Sequence, residues 1–320
     1  MFKDKIVEIY KQTLFNRYDD NGYIYYFSEK DFPGLHKKNY SFMSVKGYTL
    51  NGYLYYYDNY KQNKMIIFDH GMGGGHLSYF KEIEMIAKKG FLVLAYDHSG
   101  CMTSEGINTG GFGQSLCDLN DCINSIKNND QYKNMDISVI GHSWGAFSTM
   151  NIVKFHKDIK SIVAMSGFIS IKQILSSMFN GILKCAYKDV LKLEENSNPQ
   201  LIDINAIDSL NEYEGNALII HSKDDKTVKC KYHFNVLKDN INKENVRFLL
   251  LKGKCHNPNY TEDAVKYKDK FFKIYTKYMK KKMLQTEEEK KKFIERFDWD
   301  KMTKQDELVW KQIFKVLEND

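Results

Sequence analysis

Proline is almost missing from this chain, with 3 in 320 residues. No Pro-rich linker marks a domain boundary, so domain limits have to be read from pattern. Cysteine is scarce as well: six residues and no CxxC pair. Cys117 and Cys122 sit on an expected helix but share no face of it. A disulfide framework is not expected, and a reduced, cytoplasmic protein fits best. No uninterrupted apolar run reaches the roughly 18 residues that cross a bilayer, so integral membrane association is not expected. The opening stretch, MFKDKIVEIYKQTLF, is charged throughout and lacks the apolar core of a secretory signal. An excess of one charge sign is also lacking. The net charge is only +6, and the lysines are interleaved with Asp and Glu. That reads as a solvated surface, with no nucleic-acid partner expected.

What is present is 42% hydrophobic residues, enough for a large core. Residues 3–16 have the pattern of an amphipathic helix. YSFMSVKGYTLNGYLYYY, at 40–57, is rich in aromatic and β-branched residues with glycine punctuation, which suggests antiparallel strands. From there short apolar runs alternate with helical patterns: KMIIFD, FLVLAY, DISVIG, KSIVAM, NALIIHS and NVRFLLL. Nearly continuous apolar strands separated by helices imply a mostly parallel sheet with helices on both faces. Residues 168–212 break the rhythm with an apolar helical stretch and then a polar one. The expected layout is an N-terminal helical extension (1–38), a core (39–167 and 213–282), a helical cap insertion (168–212) and a C-terminal helical extension (283–320). In the tail, Trp310, Ile313, Phe314 and Leu317 are spaced to dock on the body.

Polar and glycine-rich residues cluster just after the strands, where open α/β sheets bind ligands. The clearest cluster is VIGHSWGAFS, at 139–148. Here Ser143 stands between Gly141 and Gly145, after an apolar strand and before a helix. A serine lifted on a tight strand-to-helix turn needs small neighbours two residues away on either side. Such a serine is a weak nucleophile without a base and an orienting acid. His256 lies in the loop after the last apolar strand. Two adjacent carboxylates, Asp224 and Asp225, follow the strand before it. The plain alternative for each is a solvated loop residue. Between the first alternating strand and the next helix runs HGMGGGH, at 70–76, a backbone-rich loop suited to presenting N–H donors. A phosphate-cradling loop fits less well: G-x-G-x-x-G from Gly71 requires glycine where His76 stands, and no GxxxxGK[ST] occurs. Metal binding by His70 and His76 lacks a third ligand at suitable spacing. No cofactor is expected.

Together these pieces resemble the α/β-hydrolase superfamily over roughly residues 40–280, and within it the serine aminopeptidase-like and acylglycerol-lipase-like branch. The resemblance implies the α/β-hydrolase fold, with Ser143 as nucleophile and His256 as base. It selects Asp225 as the acid, through HSKDD from His221. It also implies the backbone N–H groups of Met72 and Trp144 as the oxyanion hole. DHSGCMTSEG is similar to a conserved turn of that branch, with Ser99 in place of an arginine and Met102 in place of a glycine. Ser222 likewise replaces the usual glycine after His221.

The expected function is hydrolysis of small carboxylic esters through an acyl-enzyme. Alternatives are an acyl thioesterase, an aminopeptidase or a non-catalytic binding protein on the same fold. The insertion is expected to cover the site. Its apolar residues (among them Ile174, Leu175, Met178 and Ile182) are expected mostly to pack on the body, with one or two facing substrate. An aminopeptidase needs a fixed anion for the substrate's ammonium. Residues 168–187 contain no carboxylate, and Glu194 and Glu195 are expected to face solvent.

Overall fold

Eight strands make one sheet: β1 (His36–Met43), β2 (Thr49–Tyr56), β3 (Lys64–Asp69), β4 (Leu92–Tyr96), β5 (Asp136–His142), β6 (Ser161–Met165), β7 (Asn216–Ser222) and β8 (Val246–Leu251). The computed structural model describes residues 2–318. Across the sheet the order is β1-β2-β4-β3-β5-β6-β7-β8. β1 with β2, and β2 with β4, are antiparallel; every other neighbouring pair is parallel. The expected mostly parallel sheet with antiparallel N-terminal strands is therefore present.

Both faces of the central strands are covered, and their side chains divide with a period of two. In β3, Met65 and Ile67 enter one core while Ile66 and Phe68 enter the other. β6 repeats this, with Ile162 and Ala164 on one side and Val163 and Met165 on the opposite side. The helices that cover these faces are α1 (Phe2–Leu14), α2 (Phe80–Lys88), α3 (Gln114–Lys127), α4 (Trp144–Ile152), α5 (Ile171–Met178), α6 (Tyr187–Ser197), α7 (Ala206–Glu212), α8 (Phe234–Asn240), α9 (Glu262–Lys280), α10 (Glu287–Ile294), α11 (Trp299–Met302) and α12 (Glu307–Glu318). None of them is long and apolar enough to cross a membrane.

α5 to α7 lie in the chain between β6 and β7. Ile169, Ile171, Ile174, Leu175 and Phe179 are buried, whereas Met178, Ile182 and Leu183 are exposed. α1 leans on this segment, with the Tyr10 and Phe179 rings 5.8 Å apart. Glu194, expected to face solvent, is instead fully buried there. Its Oε1 accepts from Tyr10 Oη at 2.5 Å and its Oε2 from Phe112 N at 2.8 Å. The sequence pattern of α6 is polar, but α1 arrives from elsewhere in the chain and covers this face. At the other end of the chain, Trp310, Ile313 and Leu317 of α12 are buried against the sheet, and Phe314 is half-buried. The stretch around α10 also buries Leu284 and Phe293 in a small aromatic cluster with Phe271 and Met302.

Candidate active site

Ser143 closes β5 and opens α4 with φ 56° and ψ −109°. A non-glycine residue in this region carries about 1–3 kcal/mol of strain, so the surroundings must impose it. The two flanking glycines show how they do so. A Cβ on Gly145 would stand 2.0 Å from the Asp69 carbonyl oxygen, and one on Gly141 2.3 Å from that of Gly145. The backbone is packed too tightly for any side chain there, and Ser143 N is tied to Met165 O at 2.8 Å.

Ser143 Oγ lies 2.9 Å from His256 Nε2, and His256 Nδ1 lies 2.7 Å from Asp225 Oδ2. An ionised carboxylate only accepts, so Nδ1 carries the proton and Nε2 accepts from the serine hydroxyl. The Asp225 side chain is fully buried and that of His256 is 23% exposed. Asp225 Oδ1 is occupied separately, accepting from Thr227 N at 2.8 Å and Val228 N at 3.0 Å. Asp224, its neighbour, points elsewhere. Its Oδ1 accepts from Ser222 Oγ at 2.6 Å and Gly253 N at 2.9 Å, and its Oδ2 from Cys255 N at 3.3 Å. Partial desolvation pushes this carboxyl up, but the hydrogen bonds from Ser222 and Cys255 outweigh it and hold it at about 2. Asp224 thus braces the loop that carries His256. Ser222, where the resemblance expects glycine, supplies one of the donors.

Met72 and Trp144 flank the serine, and neither backbone N–H meets an acceptor among the described residues. Around them runs a hydrogen-bond chain that the sequence did not suggest. Gly71 N–H donates to Tyr79 Oη at 3.2 Å, Tyr79 O–H donates to His142 Nδ1 at 2.9 Å, and His142 Nε2–H donates to His256 O at 2.6 Å. A carbonyl can only accept, so Nε2 carries a proton; in the neutral ring Nδ1 is then the acceptor and Tyr79 the donor. Burial, with the His256 charge adding to it, holds His142 well below its ordinary value. The chain links the loop of Met72 to the loop of His256 through the residue preceding Ser143. The only sequence signal for it is the histidine inside GHSWG.

Beneath the turn, His98 lies 2.9 Å from Asp69 Oδ1 and 3.3 Å from Asp118 Oδ2, all fully buried. Burial alone pushes that imidazolium down; the two carboxylates outweigh it and raise it above its ordinary value. Ser99 donates to Asp118 through both N and Oγ. Arg17, from the N-terminal segment, donates to the carbonyls of Met102, Ser104 and Gly106. The DHSGCMTSEG turn therefore receives its cations from His98 and Arg17, while position 99 holds a serine. Asp97 is saturated, accepting from His76 and Thr103.

A cavity of about 400 Å³ opens beside Ser143, His256 and Met72. Residues 168–212, expected to face substrate in part, contribute none of its lining. The walls come from residues 24–27, the 71–82 loop and α2, α9, and residues 299–303. Glu82 is the one carboxylate among the lining residues. It is buried, its Oε1 accepting from Asn259 Nδ2 at 2.9 Å. Lys268, also lining, donates to Asn257 Oδ1 at 3.1 Å. Burial raises the Glu82 carboxyl and lowers the Lys268 ammonium, and each charge partly offsets the shift of the other.

A family model described as the alpha/beta hydrolase fold matches residues 64–206. A proline iminopeptidase of Saccharolobus solfataricus is 26% identical over 187 residues, which are 52% of this chain and 59% of that protein. The match thus spans less than two thirds of that relative. The Pyrococcus furiosus esterase Pf2001 superposes with a TM-score of 0.59 at 21% identity, over 84% of this chain and 98% of its own. Est1E from Butyrivibrio proteoclasticus, solved with ferulic acid, does so at 0.56 and 18%, over 73% and 98%. At such identities the two structures speak for the fold alone. The strand order, the strained turn at Ser143 and the family model matched over residues 64–206 agree on one architecture, the α/β-hydrolase fold.

Proposed function

We propose that the protein is a serine hydrolase of small carboxylic esters, with Ser143 as nucleophile, His256 as base and Asp225 as the acid that orients it. The observation that carries the reading is the unbroken line Ser143–His256–Asp225, at 2.9 and 2.7 Å, with the N–H groups of Met72 and Trp144 meeting no acceptor among the described residues. His256 Nε2 takes the hydroxyl proton as Ser143 Oγ bonds to the ester carbonyl carbon. The carbonyl electron pair moves onto its oxygen, which the N–H groups of Met72 and Trp144 receive. Asp225 stabilises the imidazolium and keeps the Nδ1 proton. Collapse breaks the bond to the alkoxide, which leaves with the proton from His256. Water then gives a proton to His256 and attacks the acyl carbon; the carboxylic acid departs and Ser143 recovers its proton.

The aminopeptidase reading has one specific support, the partial likeness to a proline iminopeptidase. It needs an uncompensated anion near Ser143. Asp97 is saturated, Glu194 is buried with Tyr10 and Phe112, and Glu82 is buried with Oε1 accepting from Asn259, its carboxyl raised by desolvation toward the neutral form. Ester hydrolysis needs no such anion, so it is preferred. A fluorophosphonate probe should form one adduct on Ser143 and none on Ser143→Ala, which should also lose ester turnover. Undiminished labelling of that variant refutes the nucleophile. A higher kcat/KM for amino-acid anilides than for a short phenyl ester decides for the aminopeptidase.

A further inference from the structure

Resting on that ester-hydrolase reading, we propose that one arm of the substrate is an aryl group. It is held in the cavity that the two terminal segments close, with Tyr26 and Trp299 as the residues that select it. The cavity reaches Ser143 and His256 and measures about 400 Å³, ample for a phenyl ring on a short linker. Its aromatic lining comes from residues 24–27, from α9 and from Trp299. Tyr26 is half-buried, and burial pushes its phenol up to about 12. Phe271 and Trp299 meet at 5.3 Å and 67°, and Phe271 and Phe272 at 5.3 Å and 73°. Phe272 is still 45% exposed. Rings at such angles present edges and faces that a further planar ring can continue.

These walls are anchored. Trp299 Nε1 donates to Ile294 O at 2.9 Å. Lys81, on α2, pairs with Asp300 beside Trp299, and its Nζ also stands 4.5 Å over the Phe27 ring beside Tyr26. One lysine thus holds both terminal segments against the core. The charge balance suits a neutral group: the lining holds one carboxylate, Glu82, and two lysines, Lys268 and Lys81, of which Lys81 is already paired with Asp300.

The test separates ring chemistry from simple apolar burial. Methyl 3-phenylpropanoate and methyl 3-cyclohexylpropanoate have the same carbon skeleton, and the saturated ring is the more hydrophobic. The same comparison is made in the alcohol arm with benzyl and cyclohexylmethyl acetate. Each ester is titrated calorimetrically into Ser143→Ala and turned over by the wild type. In at least one arm the aryl ester should bind about fivefold or more tighter and show the higher kcat/KM, as ring–ring contacts require. Trp299→Ala and Tyr26→Ala should each abolish the preference while turnover of methyl butanoate continues. Ile182→Ser, in the 168–212 segment, should leave it unchanged. Equal or better binding of the cyclohexyl esters in both arms overturns the proposal, as does a preference that follows Ile182 and not Trp299. Aryl-selective binding without turnover of any ester by the wild type sinks the hydrolase reading and leaves the pocket standing.

Discussion

Asp225→Asn changes one atom and should remove almost all turnover, for a reason that lies in the other oxygen. Asp225 Oδ1 accepts two backbone hydrogen bonds, from Thr227 N at 2.8 Å and Val228 N at 3.0 Å. An asparagine must keep its carbonyl oxygen there, since an amide nitrogen facing two N–H donors would leave all of them unpaired. Its NH₂ group then takes the place of Oδ2, 2.7 Å from His256 Nδ1. That NH₂ can only donate, so Nδ1 becomes an acceptor and the imidazole proton moves to Nε2. An Nε2–H cannot take the proton from Ser143. A wrong tautomer of this kind costs about 10⁴ in kcat, or about 5 kcal/mol of barrier. Because the backbone bonds survive, the melting temperature should move little. The assay is kcat on a phenyl acetate, read together with a thermal melt. Asp224→Asn is the control. It weakens a loop brace at Gly253 and Cys255, so a loss of about tenfold is expected, on the scale of one hydrogen bond to a charged group. A folded Asp225→Asn protein within tenfold of wild type refutes the argument, and so does a larger loss at Asp224.

Two further outcomes follow from groups outside that line. Burial raises the Glu194 carboxyl from 4.5 to about 7 despite its bonds to Tyr10 and Phe112. The folded state therefore holds a proton that the unfolded chain releases, so stability falls as pH rises from about 4.5 to about 7, by about 3 kcal/mol in all. Glu194→Gln should remove that slope, gaining on wild type at pH 8 relative to pH 4 in chemical denaturation; parallel curves at the two pH values contradict it. Tyr79→Phe should cut the chain between Gly71 and His142, lowering kcat about tenfold with KM nearly unchanged, since it leaves two buried groups without a partner. An unchanged kcat, or an effect confined to KM, removes Tyr79 from any positioning role.

What was legible in the sequence and what was not divides by the range of the interaction. The central strands were readable because Met65 to Phe68 or Ile162 to Met165 need only be apolar when both faces are covered. The turn at Ser143 was readable because its constraint is local: Gly141 and Gly145 sit two residues away and have no room for a Cβ. Positions just past strand ends likewise drew attention to Asp225 and His256. The division between Asp224 and Asp225 could not be read from charge, because it depends on which carboxylate faces His256 and which takes the N–H groups of Gly253 and Cys255. Glu194 was misjudged because its cover, Tyr10, lies on a helix at the far end of the chain. The walls of the cavity went unseen for the same reason. Tyr26 and Trp299 come to line one cavity with Ser143 only after both terminal segments fold onto the same side of the core, a juxtaposition with no periodicity to announce it. An apolar stretch such as 168–187 invites a substrate-binding reading from composition, yet burial against its own domain accounts for most of those side chains. Where two apolar segments compete for that role, the one that reaches the nucleophile decides, and here it is the pair of terminal segments.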